Sequence, residues 1–209
     1  MFHADSRADF DSAVAEIDRR IPTMSDHEIV VELTRLVAML GDGLTRISLP
    51  NQPEAMDPAG RESRAITPAK DPRLAFHRLP LRLAWFSDGL FVVAATREFR
   101  SLLGAQVLQM GDRPATAALE AIQPVISRDN DTAFRLVAPD FATIPEILSA
   151  MKITQTPSRV PFKLRAASGE EVTREFTPLV LNASPAWIDV FEARQVARPL
   201  YLRQPEKHY

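Results

Sequence analysis

Residues Ser87 to Ile122, SDGLFVVAATREFRSLLGAQVLQMGDRPATAALEAI, read as strand, short helix, strand and helix, with a turn residue at every join. Leu90 to Ala95 is a nearly continuous apolar run, short enough for a buried strand, and the turn dipeptide Asp88-Gly89 leads into it. A second run, Ala105 to Met110, lies between Gly104 and Gly111-Asp112. Pro114 stands where a helix tolerates proline, because the N–H missing there has no intrahelical partner to lose. Ala118, Leu119 and Ile122 then give the next segment an apolar helical face. The stretch predicts a small α+β unit and contains no complete catalytic set.

Working outward, Leu79, Leu81, Leu83 and Trp85 alternate with Pro80, Arg82, Ala84 and Phe86, the period of a half-buried strand. With Ser87-Asp88-Gly89 as its turn, this strand pairs with Leu90 to Ala95 as an antiparallel hairpin. Beyond Ile122, two helical segments at about 130–138 and 144–151, separated by Pro139 and Pro145, read as an insertion spanning about 124–152. Phe162 to Ala166 and Val172 to Leu179 flank Ser168-Gly169-Glu170, turn chemistry between two strands that close the sheet. The expected domain is 73–181, followed at 182–209 by an extended tail without a core of its own. Within that tail only Pro199 to Leu202 has strand character.

At the other end, Phe10, Val14, Ile17 and Ile21 recur at helical spacing and predict an amphipathic helix over 8–21 that stops at Pro22. Ser25 and Glu28 have capping-box spacing ahead of Ile29, Leu33, Leu36, Val37 and Leu40, so a second helix follows and ends at Gly41 and Gly43. Residues 1–48 therefore read as a helical hairpin domain. The stretch 49–72, rich in Pro, Gly, Ala, Glu and Arg, reads as a linker.

Composition excludes several classes of function. The 209 residues are 45% hydrophobic and 25% charged, with a formal net charge of -2, which gives no electrostatic reason to expect nucleic acid or an anionic membrane. There is no cysteine, which removes disulfides, thiolate nucleophiles and Cys-based metal sites. The opening MFHADSRADF has neither the basic nor the apolar region of an export signal. No apolar run approaches the ~18 residues a membrane span needs. The compartment is left undetermined, and no cofactor is expected.

The hairpin into Leu90 to Ala95, the Leu102-Leu103-Gly104 turn, Gly111-Asp112-Arg113-Pro114 and the helix after it together resemble a bacterial PDZ-type domain. The wider order is more specific. A helical hairpin ending in Leu40-Gly41-Asp42-Gly43-Leu44-Thr45, then a PDZ-like unit, then an exit containing Pro199-Leu200-Tyr201-Leu202, resembles the N-terminal half of the tail-specific serine peptidase family, closest to its tricorn-like members. That resemblance implies peptide-bond hydrolysis by a serine held in a separate α/β domain, expected to begin at about Tyr209. It also implies a catalytic histidine directly before the threonine of the turn, and Leu44 occupies that position. Leucine neither takes nor orients a proton.

The resemblance further implies a peptide groove in which a ligand adds as a strand and backbone N–H groups hold its carboxylate. Transferred to this sequence, the groove residues are Asp88, Gly89, Leu90, Phe91 and Val92, with Leu119 and Ile122 on the facing helix. The charge of Asp88 opposes a carboxylate there, and Leu90, Val92, Leu119 and Ile122 equally fit a plain core. The expected partner is a peptide or an unfolded protein C-terminus.

Other motifs carry less. Ser149-Ala150-Met151-Lys152 matches S-x-x-K, but no K-T-G accompanies it and Lys152 falls at a helix end. His27-Glu28 starts an H-E-x-x-H motif, yet Val31 replaces the second histidine, so no metal site is expected. Asp129-Asn130-Asp131 lacks the glycine and distal glutamate of a calcium loop and reads as a helix cap. His3, His77 and His208 are isolated in sequence and read as surface residues. Three functions follow as expectations: a non-catalytic front region of a serine-peptidase-like protein, a PDZ-like peptide-binding module, or an interaction scaffold using the tail Arg198 to Tyr209.

Overall fold

The computed structural model describes residues 6–49, 74–180 and 185–194. Ser6 caps helix α1 (Arg7–Arg20), and Ser25 caps α2 (Asp26–Ala38). Both caps are reciprocal boxes. In the second, the Glu28 N–H donates to the Ser25 hydroxyl at 3.3 Å and the Ser25 N–H donates to the Glu28 carboxylate at 2.8 Å. Pro22 falls in a short 3-10 turn, Ile21–Thr23, which ends α1 where expected.

The sheet contains β2 (Leu81–Phe86), β3 (Gly89–Thr96), β4 (Gln106–Met110), β6 (Val160–Arg165) and β7 (Glu171–Phe176) in that spatial order. Each neighbour pair is antiparallel. A two-residue strand β5 (Arg113–Pro114) folds back on β4, while β1 (His77–Arg78) pairs separately with β8 (Leu179–Val180). The class is α+β, as the sequence implies.

Alternation decides which face is buried. Val160, Phe162 and Leu164 of β6 point into the core, whereas Lys163 and Arg165 point outward. Phe162 meets Phe176 edge to face at 5.6 Å, and Phe176 meets Phe99 at 4.9 Å. Helix α3 (Ala115–Ile122) covers β4, and α4 (Asp131–Phe141) lies against β2, where Phe134 meets Trp85 at 5.6 Å.

Three expectations need correction. Pro139 does not separate two helices but sits, buried, near the end of α4; α5 (Pro145–Ala150) then starts at Pro145. The helical hairpin is not a unit apart, since α2 packs on α5 and Val31 and Leu49 join the same buried cluster as the sheet. In the region after 182, a strand forms ahead of Pro199 to Leu202. Strand β9 (Trp187–Asp189) pairs with Ala94–Thr96 of β3 and leads into a turn of helix, α6 (Val190–Ala193). The rest of the linker after Leu49, and the strand expected at Pro199 to Leu202, lie outside the described residues.

Candidate functional site

The residues expected to form the peptide groove do not line one. Leu90, Val92, Leu119 and Ile122 are each at most 2% exposed and belong to the central core. Strand β3 is also covered on both edges: β2 runs along one, while β4 at Leu90 and Phe91 and β9 at Ala94 to Thr96 share the other. An added strand has no place there. Gly89 adopts φ +144°, and a Cβ on it would come within 2.4 Å of the Gln106 side-chain amide, which donates to the Asp88 carbonyl at 3.0 Å. Phe91 packs against Phe86 at 5.9 Å. The hairpin tip is thus built as a turn and not as an open amide cradle.

The neighbouring edge is different. Phe86 and Gly89 flank the two-residue turn and face each other across it, so the alternation of an antiparallel ladder turns the N–H and C=O of Trp85 and Leu83 away from β3. Val92, opposite Leu83, correspondingly spends its N–H and C=O on Ala105 and Gly104. Among the described residues no strand pairs with this outer edge of β2. At its start, the Nε of Arg78 is buried without a hydrogen-bond partner among the described residues. Partial burial pulls the Arg78 pKa below its usual value, Arg82 adds to that, and Asp140 opposes it. The Arg82 guanidinium lies 4.8 Å from the ring centre of Trp187.

The turn after α2 holds Leu44 at its tip. The Asp42 carboxylate accepts from the Leu44 N–H at 2.9 Å and from the Thr45 hydroxyl, and Asp129 accepts from the Gly43 N–H at 2.8 Å. Every one of these bonds uses backbone or a neighbour's side chain. Leu44 itself is 89% exposed.

The remaining motifs resolve as structure. Asn130 caps α4 through the Ala133 N–H. Lys152 lies beyond α5 with φ +54°, so Ser149 and Lys152 do not share a helix face. His27 is not a bare helix N-terminus: its Nε2 bonds the Ala75 carbonyl at 3.0 Å and its ring meets Phe76 edge-on at 5.1 Å. His77 is not an isolated surface residue either. Its Nδ1 lies 2.7 Å from Oε1 of Glu146, and its backbone N–H donates to Oε2 of the same carboxylate at 3.0 Å. At a separation of 69 positions, no local motif joins the two. Among the described residues no three His, Asp or Glu side chains gather closely enough to hold a metal, and no helix is long and apolar enough to cross a membrane.

No known family profile matches the chain, and no curated protein matches it. Solved structures do, among them two of CPAF, a chlamydial serine protease. Mature CPAF complexed with lactacystin superimposes with a TM-score of 0.53 and 12% identity, over 92% of this chain and 33% of that one. Mature CPAF alone gives 0.50 and 13%, over 90% and 32%. The likeness is one of fold. The chain spans about a third of the length of those structures and carries a distant, partial peptidase-like fold.

Proposed function

We propose that this chain is the non-catalytic N-terminal region of a serine-peptidase-like protein of the tail-specific, tricorn-like kind. The observation that carries the reading is a fold shared with one third of a serine protease, and it is supported by a turn that presents Leu44 at the position the sequence resemblance gives to that family's histidine. In the parent protein a separate domain would supply the nucleophile, and this region would position or guide the polypeptide to be cut. The purified chain should hydrolyse neither casein nor peptides with tailed C-termini. Hydrolysis that survives Ser149→Ala would sink this reading, and hydrolysis abolished by that change would shift it to an enzyme using Ser149.

The outer edge of β2 favours a second reading, a peptide-binding module. An extended peptide that pairs with Leu83 and Trp85 would gain backbone hydrogen bonds, and Arg78, whose buried Nε has no partner among the described residues, would offer its guanidinium to the peptide's carboxylate. This relocates the groove from β3 and α3 to β2 and α4. Titrating a C-terminal peptide library should shift the amides of Leu83 and Trp85, and Arg78→Ala should weaken the response. Shifts confined to Gly89 to Ala95, or none at all, would defeat it.

A further inference from the structure

We propose that His77 and Glu146 form an acyl-transfer pair, in which Nε2 of His77 attacks activated acyl esters and Glu146 is the positioning residue behind it. The Glu146 side chain is only 4% exposed, and both of its oxygens are committed to a single residue, one to the imidazole and one to the His77 backbone N–H. A clip joining β1 to α5 does not require a carboxylate, because a neutral amide could accept the same backbone N–H. Burying a charge is costly and seldom improves stability. What the carboxylate adds is orientation and electrostatic support for the imidazole, the role of the third group behind an activated base or nucleophile.

The geometry also leaves the reactive atom free. With Nδ1–H donating to Glu146, the lone pair resides on Nε2, which has no partner among the described residues on a side chain that is 35% exposed. His27 offers the contrast, since its Nε2 is occupied by the Ala75 carbonyl. The pair is not a relocated version of the histidine that Leu44 replaces. Ala75, two residues before His77, sits at the start of α2, whereas Leu44 follows the end of that helix, roughly 20 Å away at 1.5 Å per residue.

In the proposed step the Nε2 lone pair attacks the acyl carbon, the bond to the leaving oxygen breaks, and an aryloxide departs. Glu146 supports the positive charge that develops on the ring. Water then attacks the acyl-imidazolium, the C–N bond breaks, the carboxylic acid leaves, the proton released from that water goes to the departed oxygen anion, and neutral His77 is restored. Net consumption is one ester and one water. Peptide bonds are outside its range, because an amide anion is too poor a leaving group for an imidazole to expel.

The test uses p-nitrophenyl acetate and the whole purified chain. His77→Gln should lower the rate of p-nitrophenolate release at least about tenfold, in line with the scale of acid–base and nucleophilic groups, while His27→Gln leaves it unchanged. Glu146→Gln should also lower it, and Glu146→Asp should restore part of the loss. If either Glu146 variant fails to fold, the unaltered chain decides the matter. Limiting diethyl pyrocarbonate followed by peptide mass mapping should label His77 ahead of His3 and His208. An unchanged rate in folded His77→Gln, or labelling of His77 no faster than of those two, would overturn the proposal. Hydrolysis of casein would count against the non-catalytic reading above and leave this pair untouched.

Discussion

Gly111, between β4 and β5, is the position where one methyl group should do the most damage. Its φ is +54°, a left-handed conformation that costs an L-residue about 1–2 kcal/mol. Space adds a larger penalty. A Cβ there would lie 1.9 Å from the Ile153 carbonyl oxygen and 2.8 Å from its carbon, contacts with backbone and not with a yielding side chain. Relief requires the turn to part from the loop after α5, which breaks the Asp112 N–H bond to Ile153 and loosens that of Gly111 to Pro161, now 3.2 and 2.8 Å. Each bond contributes on the order of 1 kcal/mol, so Gly111→Ala should cost roughly 3–5 kcal/mol. In a domain of this size that corresponds to a fall of roughly 10–15 °C in Tm. Gly169 supplies the control, because its φ is +89° and nothing lies within 4 Å of its would-be Cβ. Gly169→Ala should lose only the conformational part, about 1–2 kcal/mol. Urea titrations followed by fluorescence of Trp85 and Trp187 would measure both. Equal losses in the two variants would refute the close approach of Ile153 to this turn.

Four further predictions rest on three contacts. Ser25→Ala should destabilise the fold by about 1 kcal/mol, the usual value of an N-cap, read as a lower urea midpoint at unchanged slope. The Ser25 N–H, and after it the Ser25 hydroxyl, hold the Glu28 carboxyl below its ordinary value of 4.5. That stabilisation is therefore complete above this value and is lost as pH falls through the lower folded-state one, so the urea midpoints of Glu28→Gln and the unaltered chain should differ at pH 7 and converge once the pH lies below it. Asp129→Ala should quicken amide exchange at Gly43 while moving Tm little, because it removes one exposed bond worth roughly 0.5–1.5 kcal/mol. Phe162→Ala, which empties a fully buried site between Phe176 and the sheet, should cost about 3–5 kcal/mol.

Most of the architecture is legible in short-range pattern. Both capping boxes, the hairpin at Ser87-Asp88 and the hairpin at Gly169 follow from residues within a few positions of one another, and local energetics decides them. Pairings between distant residues are not legible that way. Trp187 to Asp189 carries too short a pattern to announce a strand, and only the open half of the β3 edge makes it one. That same pairing closes the edge on which the groove was expected. Likewise, apolar residues at strand and helix spacing look alike whether they line a groove or fill a core, and burial of Leu90, Val92, Leu119 and Ile122 decides for the core. His77 showed no signal because its partner is contributed by α5, which tertiary packing alone brings to β1.

The two positions that the sequence reading and the structure single out, Leu44 and His77, differ in what their surroundings specify. At Leu44 the turn is fixed by Asp42, Thr45 and Asp129 through bonds that never involve the side chain of residue 44. Such a turn presents whatever residue stands at its tip, so exchanging a proton-transfer group for leucine leaves its scaffold intact and costs no folding energy through lost hydrogen bonds. At His77 the dependence runs the other way. The buried Glu146 carboxylate has the imidazole as its only side-chain partner among the described residues, so removing the ring strands a desolvated charge. A change of side chain would thus be structurally silent at the first position and structurally expensive at the second. His77→Gln, which keeps an amide donor within reach of the carboxylate, should accordingly fold better than His77→Ala, and equal stability of the two would show that the Glu146 carboxylate does not rely on the side chain at 77.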